Sequence, residues 1–323
     1  MNQEIENIEK IFQKSVTKLK NYVDTILIKI NGSNISKPIK NLYISKMKKF
    51  YIYEYKKLEN KKLEEIKKIK EKYNKNDTIG EKNITKKACL VGINYNHTSY
   101  QLHGCVNDVY TLKSLLEKKF NYKSENITML LNEQATREKI LIEFVDLLKT
   151  AQDGDQLFFS FSGHGVYIDD KNFQEIDGKD EVIVSADYYG IIDDEIKYLI
   201  DTYLKANVKL FTLFDCCHSG TIMDLKYQHI DNKSIIHNQS DTKSQVICIS
   251  GCKDNQQSVD AYIKGQFNGA LTWAFNKVMS ENNNQSWKSC IEDIKATLLG
   301  KNFQQTAQLT SGLPLNLNDT IFF

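Results

Sequence analysis

From residue 88 onward, short apolar runs alternate with segments whose apolar residues recur every three or four positions. Ala88-Cys-Leu-Val-Gly-Ile-Asn94 is an apolar run that ends in a loop, the pattern of a buried strand. Gly104 to Phe120 follows, with Val106, Val109, Leu112, Leu116 and Phe120 on one helical stripe. Asn126 to Leu131 reads as the next strand. Thr136 opens a helix, with Glu138 close behind, that runs through Phe144 and Leu148 to Gln152. Gln156 to Phe161 is a strand ending in Ser162-Gly-His-Gly165, and an acidic loop comes next. Asp194 to Leu204 is helical, and Val208 to Phe214 is a strand ending in Asp215-Cys-Cys-His-Ser-Gly220. Gln245 to Gly251 resumes as a strand, Gly269 to Met279 and Trp287 to Leu299 are helices, and Asp319 to Phe323 reads as a closing strand. This alternation predicts an α/β fold, a mostly parallel central sheet with helices on both faces.

Residues 1–87 follow a different rhythm. Met47, Phe50, Tyr55, Leu58, Ile66, Ile69 and Tyr73 include helical steps, interrupted near Leu63, which predicts a helix over about Leu42 to Tyr73. Asn74 to Lys87 is polar and reads as a linker. Tyr227 to Ser244 is rich in Asn, Gln, Ser and Lys and reads as an exposed loop. The chain therefore divides into a Lys-rich helical N-terminal extension (1–87), a large region carrying both motifs (88–225), an exposed linker (226–244) and a smaller region completing the same domain (245–323).

Composition adds three constraints. The chain has 323 residues, 41% hydrophobic and 26% charged, which permits a sizeable core and excludes wholesale disorder. The net charge of +2 conceals an asymmetry: residues 1–87 hold 22 Lys against 11 acidic residues, and the remainder 21 basic against 30 acidic. Lys is used almost exclusively, Arg137 being the single Arg, which fits a coding bias better than a reader of nucleic-acid bases. No stretch of about 18 uncharged apolar residues is present, so no membrane span is expected. The first ten residues, with three Glu and one Lys, do not read as a secretory leader. Seven Cys, an odd number without paired metal-ligand spacing, predict free thiols in a reducing, cytoplasmic compartment.

The candidate chemistry sits at two strand ends. Loops at the carboxyl ends of parallel strands build sites, and there one motif presents His164 and the other Cys217, 53 residues apart. A thiol with an ordinary pKa of about 8.5 becomes a better nucleophile beside an imidazole. Thiolate attack on a peptide carbonyl gives a thioester, and the imidazole hands its proton to the leaving amine. The backbone N–H groups of Gly165 and Cys217 are the natural oxyanion donors, worth about 3 kcal/mol each at the transition state. Cys216 reads as a small buried hydrophobe and His218 as structural.

Phe161-Ser-Gly-His-Gly165, Asp177-Gly-Lys-Asp-Glu181, Gly190-Ile-Ile-Asp-Asp-Glu195, Asp215-Cys-Cys-His-Ser-Gly220 and Met223-Asp-Leu225 resemble a metacaspase in order and spacing. His103-Gly-Cys-Val-Asn-Asp108, Ser250-Gly-Cys-Lys-Asp254 and Gly269-Ala-Leu-Thr272 extend the resemblance over about residues 88–323. The short connection after Asp224 is similar to the type I arrangement. The Pro-rich or zinc-finger start of many type I members is missing, which leaves the role of residues 1–87 open. The resemblance implies a caspase-like fold and a monomeric cysteine endopeptidase. It places Asp108 and Asp215 in the specificity pocket, with Ser162 and Cys105 nearby. Two carboxylates there would stabilise a bound guanidinium or ammonium, so cleavage after Arg or Lys, and not after Asp, is expected. It also implies a calcium site at Asp180, Asp193, Asp194 and Asp224, positions where clustered carboxylates need a hard cation. The basic extension is then expected to act as a zymogen-like cover over an acidic cleft, with Lys226, Lys233 and Lys243 as alternative self-cleavage points.

Two other readings stay open. One is a calcium-independent, paracaspase-like protease of the same basic specificity, which the Asp193, Asp194 and Asp224 set argues against. The other is a non-catalytic scaffold binding partners through residues 1–87, which the presence of both His164 and Cys217 argues against.

Overall fold

The computed structural model describes residues 2–32, 36–74, 84–169, 179–217, 219–220, 222–230, 233–237, 239–251, 260–263, 266–281 and 285–323. The chain forms two compact units, Met1–Glu81 and Lys82–Phe323.

The first unit is a helical hairpin of α1 (Asn2–Gly32) and α2 (Lys37–Asn74). Phe12 meets Tyr55, with ring centroids 5.8 Å apart, and Tyr22 meets Phe50 at 6.2 Å, so the two helices run antiparallel. Phe12 and Val23 are buried along this seam. Lys62 places its ammonium 4.2 Å from the Phe12 ring centroid, covering the seam's edge with an amphipathic stem. The pattern of Leu42 to Tyr73 predicts α2; α1 was passed over, although Ile5, Ile8, Phe12, Val16, Leu19 and Val23 recur at helical spacing along it.

The second unit is built on an eight-stranded sheet. Its strands are β1 (Lys86–Gly92), β2 (Ile127–Leu131), β3 (Gln156–Ser162), β7 (Lys209–Asp215), β8 (Tyr227–Ile230), β9 (Lys233–Ile236), β10 (Val246–Ser250) and β13 (Gln308–Ser311). They lie in the order β2-β1-β3-β7-β10-β13-β8-β9. The first five are mutually parallel, and β13, β8 and β9 add on antiparallel. The central strands are buried on both faces and read as continuous apolar runs for that reason.

Alternation along β3 splits the core. Leu157, Phe159 and Phe161 face one layer, with α4 (Arg137–Lys149) and α5 (Asp193–Tyr203). Phe158 faces the other, with α3 (Cys105–Phe120), α6 (Ala270–Glu281) and α7 (Trp287–Leu299). Phe211 anchors that second layer among Phe158, Phe275, Trp287 and Phe323. Each such fully buried ring contributes about 1.5–3 kcal/mol. Two small sheets stand apart: β4 (Gly165–Asp169), β5 (Lys179–Val184) and β6 (Gly190–Ile192), and the pair β11 (Asp260–Ile263) and β12 (Gln266–Gly269).

Four expectations need correction. The 226–244 segment is not an exposed loop throughout. Its polar residues pair as β8 and β9, where His229 is buried between Ser311 Oγ at 2.8 Å and Ser234 Oγ at 2.9 Å. The closing strand is β13 rather than Asp319 to Phe323, because Phe323 turns inward to fill the aromatic cluster. The acidic loop after Gly165 carries β4, β5 and β6, while residues 170–178, with Asp177, lie outside the described residues. The body also starts earlier than residue 88, since β1 takes Lys86 and Lys87 into its ladder with β3. Of the linker expected over Asn74 to Lys87, residues 75–83 lie outside the described residues.

Candidate active site

Neighbouring strands deliver the two motifs at the same level. β3 and β7 pair in parallel with Ser162 opposite Asp215, so the loops carrying His164 and Cys217 leave the sheet side by side. Gly163 N–H donates to the Asp215 carbonyl at 3.4 Å. A Cβ on Gly165 would lie 2.1 Å from the Cys217 carbonyl oxygen and 3.2 Å from Cys216 Sγ. Glycine at 165 is therefore what lets one loop lie on the other.

His164 is fixed by two tyrosines. Its Nε2 lies 2.6 Å from the Tyr100 carbonyl, which can only accept, so Nε2 carries the proton and Nδ1 is left as the base. Its backbone N–H donates to Tyr95 Oη at 3.0 Å, and its ring lies against that of Tyr95, centroids 4.6 Å apart. Cys217 is half-buried, whereas Cys89, Cys105, Cys216, Cys248 and Cys290 are buried. Burial pushes the Cys248 thiol up to about 12 and raises the Cys89 and Cys290 thiols as well, so these three are inert packing groups. Ser219 Oγ donates to the Cys216 carbonyl at 2.9 Å and closes the turn below the candidate nucleophile. His218 and Cys252 to Asp254 lie outside the described residues.

Beside these loops, Asp108 and Asp215 converge. Asp108, on the first turn of α3, accepts from Ser162 Oγ at 2.6 Å and from Gly269 N–H at 3.0 Å on each oxygen. Asp215 accepts from Thr272 N–H at 2.8 Å, in the first turn of α6, where the helix end favours an anion. A Cβ on Gly269 would sit 2.2 Å from Asp215 Oδ2 and 2.7 Å from Asp108 Oδ2, so both carboxylates press on the same glycine. Cys105 is buried one turn before Asp108 on α3. The single arginine is committed elsewhere: Arg137 clamps Glu195 through Nη2 at 2.7 and 2.8 Å and reaches the Gly190 carbonyl at 3.0 Å.

A second acidic group lies at the start of α5. Carboxylate oxygens of Asp193, Asp194 and Asp224 come within 4.8 Å of one another. Asp193 is fully buried and accepts from Glu181 N–H and Asp194 N–H, both at 2.7 Å. Burial, with the charge of Asp180 adding to it, pushes the Asp193 carboxyl up to about 7 against the donors that oppose the shift. Asp180 is thus electrostatically part of the group, though outside the close trio. Asp224 holds a left-handed backbone, φ 46°, a conformation that Asp tolerates better than most residues.

Sequence reasoning passed over Tyr95, Tyr100 and the contacts of Gly269 and Thr272 with the two carboxylates. The available signal was Gly92-Ile-Asn-Tyr95 at the carboxyl end of β1, the strand beside β3, where a loop must border the same crevice.

A family profile described as Metacaspase, peptidase C14 domain, matches residues 86–226. Metacaspase-1 of Meyerozyma guilliermondii is 32% identical over 291 residues, covering 72% of this chain and 71% of that protein. Metacaspase-1B of Aspergillus terreus is 33% identical over 290 residues, covering 72% and 76%. Among solved structures, a protein from Geobacter sulfurreducens superposes with a TM-score of 0.57 at 24% identity, covering 73% of this chain and 97% of that one, a likeness of fold.

Proposed function

Because the chain belongs to the metacaspase family of cysteine peptidases, we propose that it cleaves peptides after Arg or Lys through Cys217 and His164, under the control of calcium. The observation that carries this reading is the Ser162–Asp215 rung, from which both motif loops leave the sheet side by side, with Asp108 bonded to Ser162.

In this reading a substrate's basic side chain enters toward Asp108 and Asp215, which accept from backbone N–H groups and from the Ser162 hydroxyl. Nδ1 of His164 takes the Cys217 proton while Nε2 keeps its own on the Tyr100 carbonyl. The thiolate adds to the scissile carbonyl, and the oxyanion meets the N–H groups of Gly165 and Cys217. Gly165 lies opposite Ile183 on a non-bonded rung beside the His164–Val184 rung, so its N–H points away from β5 and is available. The imidazolium then protonates the leaving amine, and the C–N bond breaks to leave a thioester. Water, deprotonated by Nδ1, adds to that thioester; the acid is released and Cys217 recovers its thiol.

The acidic group fits a hard cation: its donors are all carboxylate oxygens, and a buried carboxyl raised to about 7 is a charge awaiting a partner. Asp180, Asp193, Asp194 and Asp224 would hold calcium, which when bound neutralises them and orders the strand ends near His164. The free thiols support work in a reducing compartment such as the cytoplasm. The basic extension is proposed as a cover for the acidic crevice on charge complementarity. For self-cleavage, Lys226 pairs with Asp241 at 3.1 Å and Lys243 reaches the Asp201 carbonyl, so those contacts must be given up, and Lys233 lies in β9, so the hairpin must open before it is cut.

Fluorogenic peptides ending in Arg, Lys or Asp, assayed with calcium or with chelator, test the reading. Turnover of the Arg and Lys peptides with calcium, and of none with chelator, is expected. Equal rates with chelator would remove the calcium claim, and cleavage after Asp would remove the specificity claim.

A further inference from the structure

We propose that Tyr95 is the positioning residue for His164, acting through a phenol oxygen spliced into the β4–β5 ladder; this rests on His164 being the base of the peptidase. On a hydrogen-bonded rung of antiparallel strands, two opposed residues exchange two direct bonds. Gly165 pairs with Ile183, so His164 lies opposite Val184. One bond of that rung is direct, from Val184 N–H to the His164 carbonyl at 3.0 Å. The return bond passes through Tyr95: His164 N–H donates to Tyr95 Oη at 3.0 Å, and Tyr95 Oη donates to the Val184 carbonyl at 2.6 Å.

The spliced oxygen widens one side of the rung and thereby sets the angle at which the His164 backbone leaves the sheet. The same tyrosine supports the side chain, its ring lying against the imidazole at 4.6 Å. One residue thus fixes both ends of the base. Three observations show that the placement is held firmly. Tyr95 is buried, and its φ of 50° lies in the left-handed region that a bulky residue occupies at a cost, as strained residues at functional sites do. Gly163 leaves room for the hydroxyl, since a Cβ there would sit 2.8 Å from Oη. Burial raises the phenol's pKa, so it remains a neutral donor throughout the working range. The strand it braces, β5, also carries Asp180 and the Glu181 N–H that Asp193 accepts, so Tyr95 joins the imidazole to the acidic group through one strand.

Tyr95→Phe keeps the ring and removes the splice. It is compared with wild type and with Ile140→Val, a buried α4 substitution in the same core layer as Tyr95, as a control for general destabilisation of that layer. On an Arg peptide at saturating calcium, kcat should fall about tenfold, with KM and the half-activating calcium concentration each within twofold; the control should keep its kcat. In a second arm, the rate of Cys217 alkylation by iodoacetamide at pH 7, read by mass spectrometry, should also fall about tenfold, because a displaced imidazole leaves less of the thiol as thiolate. An unchanged kcat and alkylation rate overturn the proposal. So does a loss carried by KM, which would place the phenol in substrate binding, or an equal loss in Ile140→Val. If wild type cleaves no basic peptide, the peptidase specificity fails, while the alkylation arm still decides the role of Tyr95.

Discussion

At the scale of single residues, the site depends on side chains that are missing as much as on those present. Gly165→Ala puts a methyl 2.1 Å from the Cys217 carbonyl oxygen, far inside van der Waals contact, so one loop must move off the other. We expect kcat/KM on an Arg peptide to fall at least 100-fold, about 3 kcal/mol at the transition state, while circular dichroism shows a folded protein. Cys217→Ala should abolish turnover. Cys216→Ala should retain most of it and lower the unfolding free energy by about 1 kcal/mol, the consequence of a shortened buried side chain. His164 and Cys217 stood out as candidates in the sequence because His and Cys are uncommon and each follows an apolar run read as a strand, whereas Asp108 and Asp215 were picked out by the resemblance to metacaspases. Tyr95 was not, because its importance comes from a rung between two strands distant in sequence, which no local pattern encodes.

At the scale of elements, two segments tie behaviour to pH. Asp193 in the first turn of α5 has a folded-state pKa of about 7 against an ordinary 3.8. A raised carboxyl favours the metal-free fold most below 3.8, and that contribution is lost as pH rises through 7. Calcium, by contrast, needs the ionised form. Its affinity, measured by calorimetry, should strengthen about tenfold per pH unit up to about 7 and level off above it. The β8–β9 hairpin behaves oppositely to the metal-free α5 end. Burial lowers the His229 pKa below its ordinary 6.5, so as pH falls through 6.5 the unfolded chain gains a proton that the folded hairpin resists. Amide protection factors, corrected for intrinsic exchange, should therefore fall in Tyr227–Ile230 and Lys233–Ile236 on acidification, and His229→Asn should flatten that dependence. This hairpin was misread as loop because its residues are polar, and its burial relies on Ser311 and Ser234 satisfying both ring nitrogens. The strands β4, β5 and β6 were missed for a related reason. They are short, and β4 exposes Val166, Tyr167 and Ile168, so no period of two stands out. The long parallel strands, by contrast, announce themselves as unbroken apolar runs.

At the scale of the whole molecule, the division at residue 81 separates a basic helical hairpin from an acidic α/β body with its own two-layered core. A chain beginning at Lys82 should fold by itself, with cooperative thermal unfolding. If the basic hairpin covers the crevice, that shorter chain should turn over Arg peptides several-fold faster at low salt, and the advantage should shrink as salt screens the attraction. Equal rates would leave the hairpin with some other task. The charge contrast behind this prediction is plain in the composition, and so is the apolar face of α1 in the spacing of Ile5, Ile8, Phe12, Val16, Leu19 and Val23; the pairing of residues 2–32 with 37–74 is not, since an apolar stripe does not name the helix that covers it.

Gly269 carries one further consequence. Its lone hydrogen faces two carboxylates at distances where any carbon would collide. The proposed preference for a positive side chain would thereby be tied to a position that offers almost nothing to vary: every replacement of this glycine shoves the two carboxylates apart before it alters anything else. The loops around these carboxylates can drift, but the pair itself is held in place by an atom too small to mutate gently.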